Sequence, residues 1–219
     1  MRRLNDIYRD YKIPAGLQLH QIRVASVALY VAEYFGNTVD REKIILAGLF
    51  HDMGNIIKSE ISLMPDLFEP EGVEYWEKVK SDFVEKYSND EHVARDAIAR
   101  DVGLSREIIT LMGSGGFSNL ESIVDRGSEE LKIFQYGDSR VAPHGIMSVA
   151  ERFREARERA SLRTQRIRPL THDDRFEFLL GKAVELELQL VSYAHFDPLQ
   201  ITDENLESLQ RELSEYMVV

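Results

Sequence analysis

A chain of 219 residues can bury a sizeable core unaided, so a single domain, with room for a helical appendage, is the expected organisation. It contains no cysteine, which excludes thiol catalysis, cysteine-based zinc sites and disulfides and fits a reducing compartment. The formal net charge of −11 argues against a nucleic-acid partner, because affinity for a phosphate polymer comes mostly from clustered Lys and Arg.

No apolar run reaches transmembrane length, and the segment after Met1-Arg2-Arg3 lacks a signal-peptide apolar region. These features lead us to expect a cytoplasmic protein without a membrane partner, and they leave homo-oligomerisation open. Helical periodicity dominates throughout and no strand pair with hairpin chemistry stands out, which predicts an all-α fold.

In chain order, Leu17 to Phe35 reads as a long helix ended by Gly36-Asn37, and Asp40 can cap the next. Pro65 and Pro70 punctuate a loop long enough to form a lid or rim. Trp76, Val79, Phe83 and Tyr87 recur at helical spacing, so Val73 to Tyr87 should be an amphipathic helix. Asn89 is the expected cap of a helix from Asp90 to Arg100, which Gly103 stops. Ser105 opens a short helix, and Gly113-Ser114-Gly115-Gly116 reads as a turn, since no strand precedes it and no Lys-Ser or Lys-Thr follows.

Ser128 can cap a further helix that Pro143 ends. Residues 151–168 then carry seven Arg (152, 154, 157, 159, 163, 166 and 168) against three Glu (151, 155 and 158). The plainer reading of this local positive excess is a solvated helix laced with ion pairs; the functional one is a phosphate or partner surface. Thr171 with Asp174 resembles a capping box opening a helix to about Tyr193, and Leu206, Leu209, Leu213 and Met217 mark a last amphipathic helix.

The chemistry concentrates in a few positions. His51-Asp52 closes the apolar run Ile44 to Phe50, and an imidazole beside a carboxylate there suits divalent metal binding better than packing. His20 and Asp138 sit in helices before and after it. Taken singly, His20 reads more readily as a core histidine, His51-Asp52 as a helix cap with a solvated acid, and Asp138 as an ordinary helix residue.

Three segments together resemble the HD superfamily of metal-dependent phosphohydrolases. Leu19-His20-Gln21-Ile22-Arg23-Val24-Ala25 is similar to its first-histidine helix, Leu46-Ala47-Gly48-Leu49-Phe50-His51-Asp52-Met53-Gly54 to its signature, and Tyr136-Gly137-Asp138-Ser139-Arg140 to its final aspartate helix. The resemblance spans about residues 15 to 145. It implies a helical bundle, expected over residues 1–168, and leaves the C-terminal third unaccounted for. Residues 169–219 are expected as C-terminal helices packed on the same domain, because the chain between Arg168 and Thr171 is too short for a free linker.

The same resemblance implies that His20, His51, Asp52 and Asp138 bind one divalent ion, with Mn, Fe, Co, Ni or Mg favoured over Zn by the nitrogen and oxygen donors. It further implies hydrolysis of a nucleotide or another small phosphoester through a metal-bound water, with Asp52 also in a catalytic role. His92 lies where two-metal relatives place another histidine, but Leu111-Met112-Gly113-Ser114 stands where a later one is usual, so one metal is expected. Asn55 stands where many relatives have Lys. Lys58 and Arg140 are therefore the candidate cations for catalysis and substrate binding, joined in substrate binding by Arg23, His92 and His144. The competing reading is a catalytically inactive HD-type regulatory or nucleotide-binding module.

Overall fold

The computed structural model describes residues 1–164 and 173–218 of the chain, with side chains described for 1–161 and 175–218. The expected positive charges at Arg163, Arg166 and Arg168 and the Thr171-Asp174 capping box lie outside the described side chains.

The fold is all-α. Helix α1 (Leu4–Asp10) leads into α2 (Ala15–Tyr34) and α3 (Arg41–Phe50). Three short 3-10 turns follow, then α4 (Gly72–Tyr87), α5 (Glu91–Val102), α6 (Arg106–Ser114) and α7 (Leu120–Arg126). Next come α8 (Glu129–Arg140), α9 (Val149–Thr164), α10 (Asp173–Ala194) and α11 (Glu207–Ser214).

Five helix starts follow from local chemistry. Asp40 accepts from the Lys43 amide, Ser105 from Ile108 and Ser128 from Leu131, each satisfying a donor that the first turn leaves over. Asp90 rather than Asn89 caps α5, accepting from the amides of both His92 and Val93, while Gly103 ends that helix in the left-handed conformation. Ser148 and Glu151 form a reciprocal capping box at the start of α9.

The expectation of no strands is corrected in two small places. Arg2–Arg3 (β1) pairs antiparallel with Met217–Val218 (β4), and Val141–Ala142 (β2) pairs with Gly145–Ile146 (β3) around Pro143-His144. Met217 therefore lies in a strand beyond α11 rather than on its apolar face.

Helix α2 is the axis of the molecule. Val24, Ala25, Val27, Ala28, Val31 and Ala32 are all buried, so several faces of this helix are covered at once. It packs against α3, α8 and α11. Small residues set these distances. A β-carbon added at Gly48 of α3 would meet Ala25 Cα at 2.7 Å, and one at Gly137 of α8 would meet the Val24 carbonyl oxygen at 2.8 Å. Only glycine admits such approaches, so α3 and α8 both close onto the same turn of α2.

Helix α10 packs against α7, α8 and α9, and Leu186, Leu190, Phe196, Leu206 and Leu213 belong to the same apolar cluster as α2 and α3. The loop punctuated by Pro65 and Pro70, expected as a lid or rim, and the turns before it are folded onto α4, with Ile56, Ile57, Ile61 and Phe68 buried.

Candidate metal centre

The two glycine contacts place four donor side chains together. His20 lies one turn before Val24 on α2, His51 caps the C-terminus of α3 three residues after Gly48, Asp52 follows it, and Asp138 follows Gly137 on α8. His20 Nε2 is 3.6 Å from Asp52 Oδ2 and 3.7 Å from Asp138 Oδ1. His51 Nε2 stands at the same distances, 3.6 Å and 3.7 Å, from the same two oxygens. Nitrogen and oxygen donors thus alternate around a closed ring. The donor atoms of His20, His51 and Asp52 all lie within 4.8 Å of one another.

The orientation of His51 is determined by its backbone. Nδ1 lies 2.8 Å from the Gly48 carbonyl oxygen, which can only accept, so Nδ1 carries the proton and Nε2 turns a lone pair toward the carboxylates. That Nε2 is buried and has no hydrogen-bond partner. A buried nitrogen in this state calls for an electrophile, and two carboxylates alongside call for a positive one. The Asp52 amide donates to Oε1 of fully buried Gln21 at 3.2 Å, tying the His-Asp turn to α2. Phe134 meets the His51 ring edge to face at 5.6 Å and closes one side.

The electrostatics lead to the same conclusion. Burial alone would depress the His51 imidazole, but the charges of Asp52 and Asp138 outweigh it and push it up to about 9. At His20 burial prevails over the raising effect of Asp52 and, with the repulsion of His51, brings the imidazole down to about 4. Burial disfavours the Asp138 carboxylate, yet the two imidazoles hold it well below the usual carboxylate range. One neutral imidazole, one that binds a proton tightly and an ionised carboxylate form a pocket that seeks positive charge. The residues fit a divalent ion.

Residues 18–112 match the family model of the HD domain. The chain carries an HD domain over these residues. The matched segment of this HD protein holds His20, His51 and Asp52, while Asp138 lies beyond it and is brought to them by α8. No curated protein and no solved structure matches the chain.

The other expected site residues lie elsewhere. Arg140 is buried and its guanidinium is fully engaged: Nε donates to the Met147 carbonyl at 2.5 Å, one terminal nitrogen to Tyr136 Oη at 2.6 Å, the other to the Pro198 and Ile201 carbonyls at 3.2 and 3.1 Å. Its environment is that of a clamp between α8 and the C-terminal segment, which corrects the expectation of a cation facing a phosphate. Arg23 Nε donates to Asp203 at 2.7 Å, so it bridges α2 to the turn before α11. Lys58, half-exposed, faces Glu91 at 3.4 Å. His92 is 65% exposed beside Arg95 and Glu91, and His144 is 61% exposed at the β2–β3 turn opposite Asp66.

A different arginine, not singled out from the sequence, lies near the ring. Arg152 on α9 is 5% exposed, and its charge bears on Asp138, Asp52 and His20. The signal was available: Val149, Arg152 and Phe153 stand at positions i, i+3 and i+4, and the two apolar members are buried. A cation on the apolar stripe of an otherwise solvated helix is the feature to look for.

Proposed function

We propose that this HD protein is a divalent-metal-dependent phosphohydrolase acting on a nucleotide or another small phosphoester. The observation that carries this reading is the alternating ring of His20, Asp52, His51 and Asp138 around a buried, unpartnered His51 Nε2. These four residues would hold one ion. When bound, such an ion supplies Lewis acidity, polarising a phosphoryl oxygen and making water a competent nucleophile near neutral pH.

The chain's own groups do the rest. The His51 Nδ1–H bond to Gly48 fixes the tautomer, and Phe134 keeps water from that side of the ring. Asp52 meets both imidazoles through Oδ2, which leaves Oδ1 to orient a water and receive its proton. Lys58 is the expected cation that shares a segment with the ligands and remains half-exposed, so it is assigned to substrate binding in exchange for Glu91. His92 and His144 are open to solvent and are assigned to the approach of substrate rather than to its chemistry.

One feature favours the regulatory alternative, namely Asn55 in the place where relatives carry a lysine. The deciding experiment is an assay of purified protein with Mn, Co, Ni or Mg against phosphatase and phosphodiesterase substrates and a nucleotide panel. Metal-dependent turnover upholds the enzyme. Stoichiometric metal with no turnover on any phosphorylated compound assigns the fold to binding.

A further inference from the structure

The Arg-rich stretch contains one residue that does not behave as surface. Arg152 is buried on the inward face of α9 between Val149 and Phe153, with its guanidinium 5.0 Å from the centre of the Phe117 ring. Phe117 is itself held edge to face against Phe153 at 5.0 Å. Among the described residues its one ion-pair partner is Glu155, which accepts from a terminal nitrogen at 2.9 Å. Nε–H is buried and has no acceptor. Stacking on a ring face occupies the flat side of a guanidinium and leaves its donor edge available.

The charges around this edge do not cancel. Glu155 is shared, since Arg159 Nε also contacts it at 2.9 Å, so two arginines meet one carboxylate. At the adjoining ring, Asp52 and Asp138 bring two negative charges, which a divalent ion offsets. The loaded site then has one positive charge in excess, carried on a desolvated group with a free donor. A buried guanidinium left in this state is costly to the fold unless an anion completes it.

We infer that Arg152 is the cation that binds the phosphate of the substrate, its Nε–H edge meeting a phosphoryl oxygen beside the metal centre while Phe117 and Glu155 hold its plane. The inference rests on the phosphohydrolase reading and names the residue through which that reading acts on its substrate. It gives this role to α9 in place of Arg140, whose donors are all taken.

The test is calorimetric titration of inorganic phosphate into the full-length, manganese-loaded protein, with metal occupancy measured in the same samples. Wild type should bind phosphate, and Arg152→Gln should bind it on the order of tenfold to a hundredfold more weakly at unchanged occupancy, as expected for loss of a charge-assisted hydrogen bond. Equal affinity in the two proteins overturns the assignment and leaves the phosphohydrolase reading standing. No phosphate binding by loaded wild type overturns both. If Arg152→Gln loses metal or fails to fold, Arg152→Lys carries the test, because lysine keeps the charge but lacks the planar donor edge; weaker phosphate binding upholds the inference and unchanged binding overturns it.

Discussion

Gly48 of α3 lies so close to Ala25 of α2 that a β-carbon at position 48 would stand 2.7 Å from the Ala25 Cα. The contact is with backbone, which cannot turn aside, so a larger residue must push the two helices apart. Because His51 follows on α3 and His20 precedes on α2, that separation would open the ligand ring. Gly48→Ala gains about 1 kcal/mol of helix propensity but loses more to overpacking, for a net destabilisation of about 1–2 kcal/mol. Urea denaturation and metal occupancy should both register it, and a variant as stable as wild type with full metal would show that this approach does not set the site.

Metal binding should depend on all four ring residues. Replacing His20, His51, Asp52 or Asp138 singly by Ala should weaken metal affinity at least tenfold to a hundredfold, since even loss of a ligand's supporting hydrogen bond has effects of that size. Elemental analysis of protein purified without chelator provides the readout. Full occupancy in Asp138→Ala would remove that residue from the set and leave three ligands from the segment matched by the family.

The raised pKa of His51 gives the site a defined pH response. With the folded value at about 9, above the ordinary 6.5, protonated His51 stabilises the metal-free protein fully below pH 6.5, and this contribution is lost as pH rises through about 9. Metal binding needs the neutral ring, so it competes with that proton. Apparent metal affinity should therefore rise roughly tenfold per pH unit up to about pH 9, while the melting temperature of metal-free protein declines between about 6.5 and 9. Chelator competition across pH 6 to 9 measures the first effect; a flat profile would mean that His51 Nε2 is not a ligand.

Arg140 should prove essential to stability and not to chemistry. Arg140→Met leaves Tyr136 Oη and three carbonyls without their donor and takes the counter-charge from Glu187, and breaking a buried charge of this kind costs about 3–5 kcal/mol. Folded variant, where it can be obtained at low temperature, should retain its metal. A variant of unchanged stability that loses phosphate binding would return Arg140 to the site.

The C-terminal helices are proposed to fold with the rest of the chain. Asp203 receives Arg23 Nε, the Gln210 side chain and the Ile146 amide, so three separate parts of the molecule meet at one carboxylate. Limited proteolysis should then yield no stable fragment that ends before α10. Arg23→Ala should accelerate cleavage in residues 198–206, and release of a folded fragment from residue 173 onward would instead mark a separate unit.

Much of the helical layout was legible because it is local. Caps such as Asp40, Ser105 and Ser128 act within three residues, and the apolar spacing of Trp76, Val79 and Phe83 describes one face of one helix. The order His20, His51-Asp52, Asp138 was likewise readable, because each candidate ligand sits in a segment whose neighbours resemble the family's. The roles of the cations were not. Arg140 follows Asp138 by two residues, which on a helix turns it to a different face, and there it finds carbonyls 58 and 61 residues away.

The sequence alone determined the all-α class, the side-chain caps of several helices and the order of the candidate metal donors, since these depend on interactions within a turn or on a pattern carried by consecutive residues. Tertiary structure decided which donors meet and which charges are buried. The pairing of Arg23 with Asp203 spans 180 residues, and Arg152 differs from the other arginines of its helix through the elements packed on its face. Side chains of one type have the same local signature whether they meet solvent or a neighbouring helix, and only the packing of distant segments separates the two.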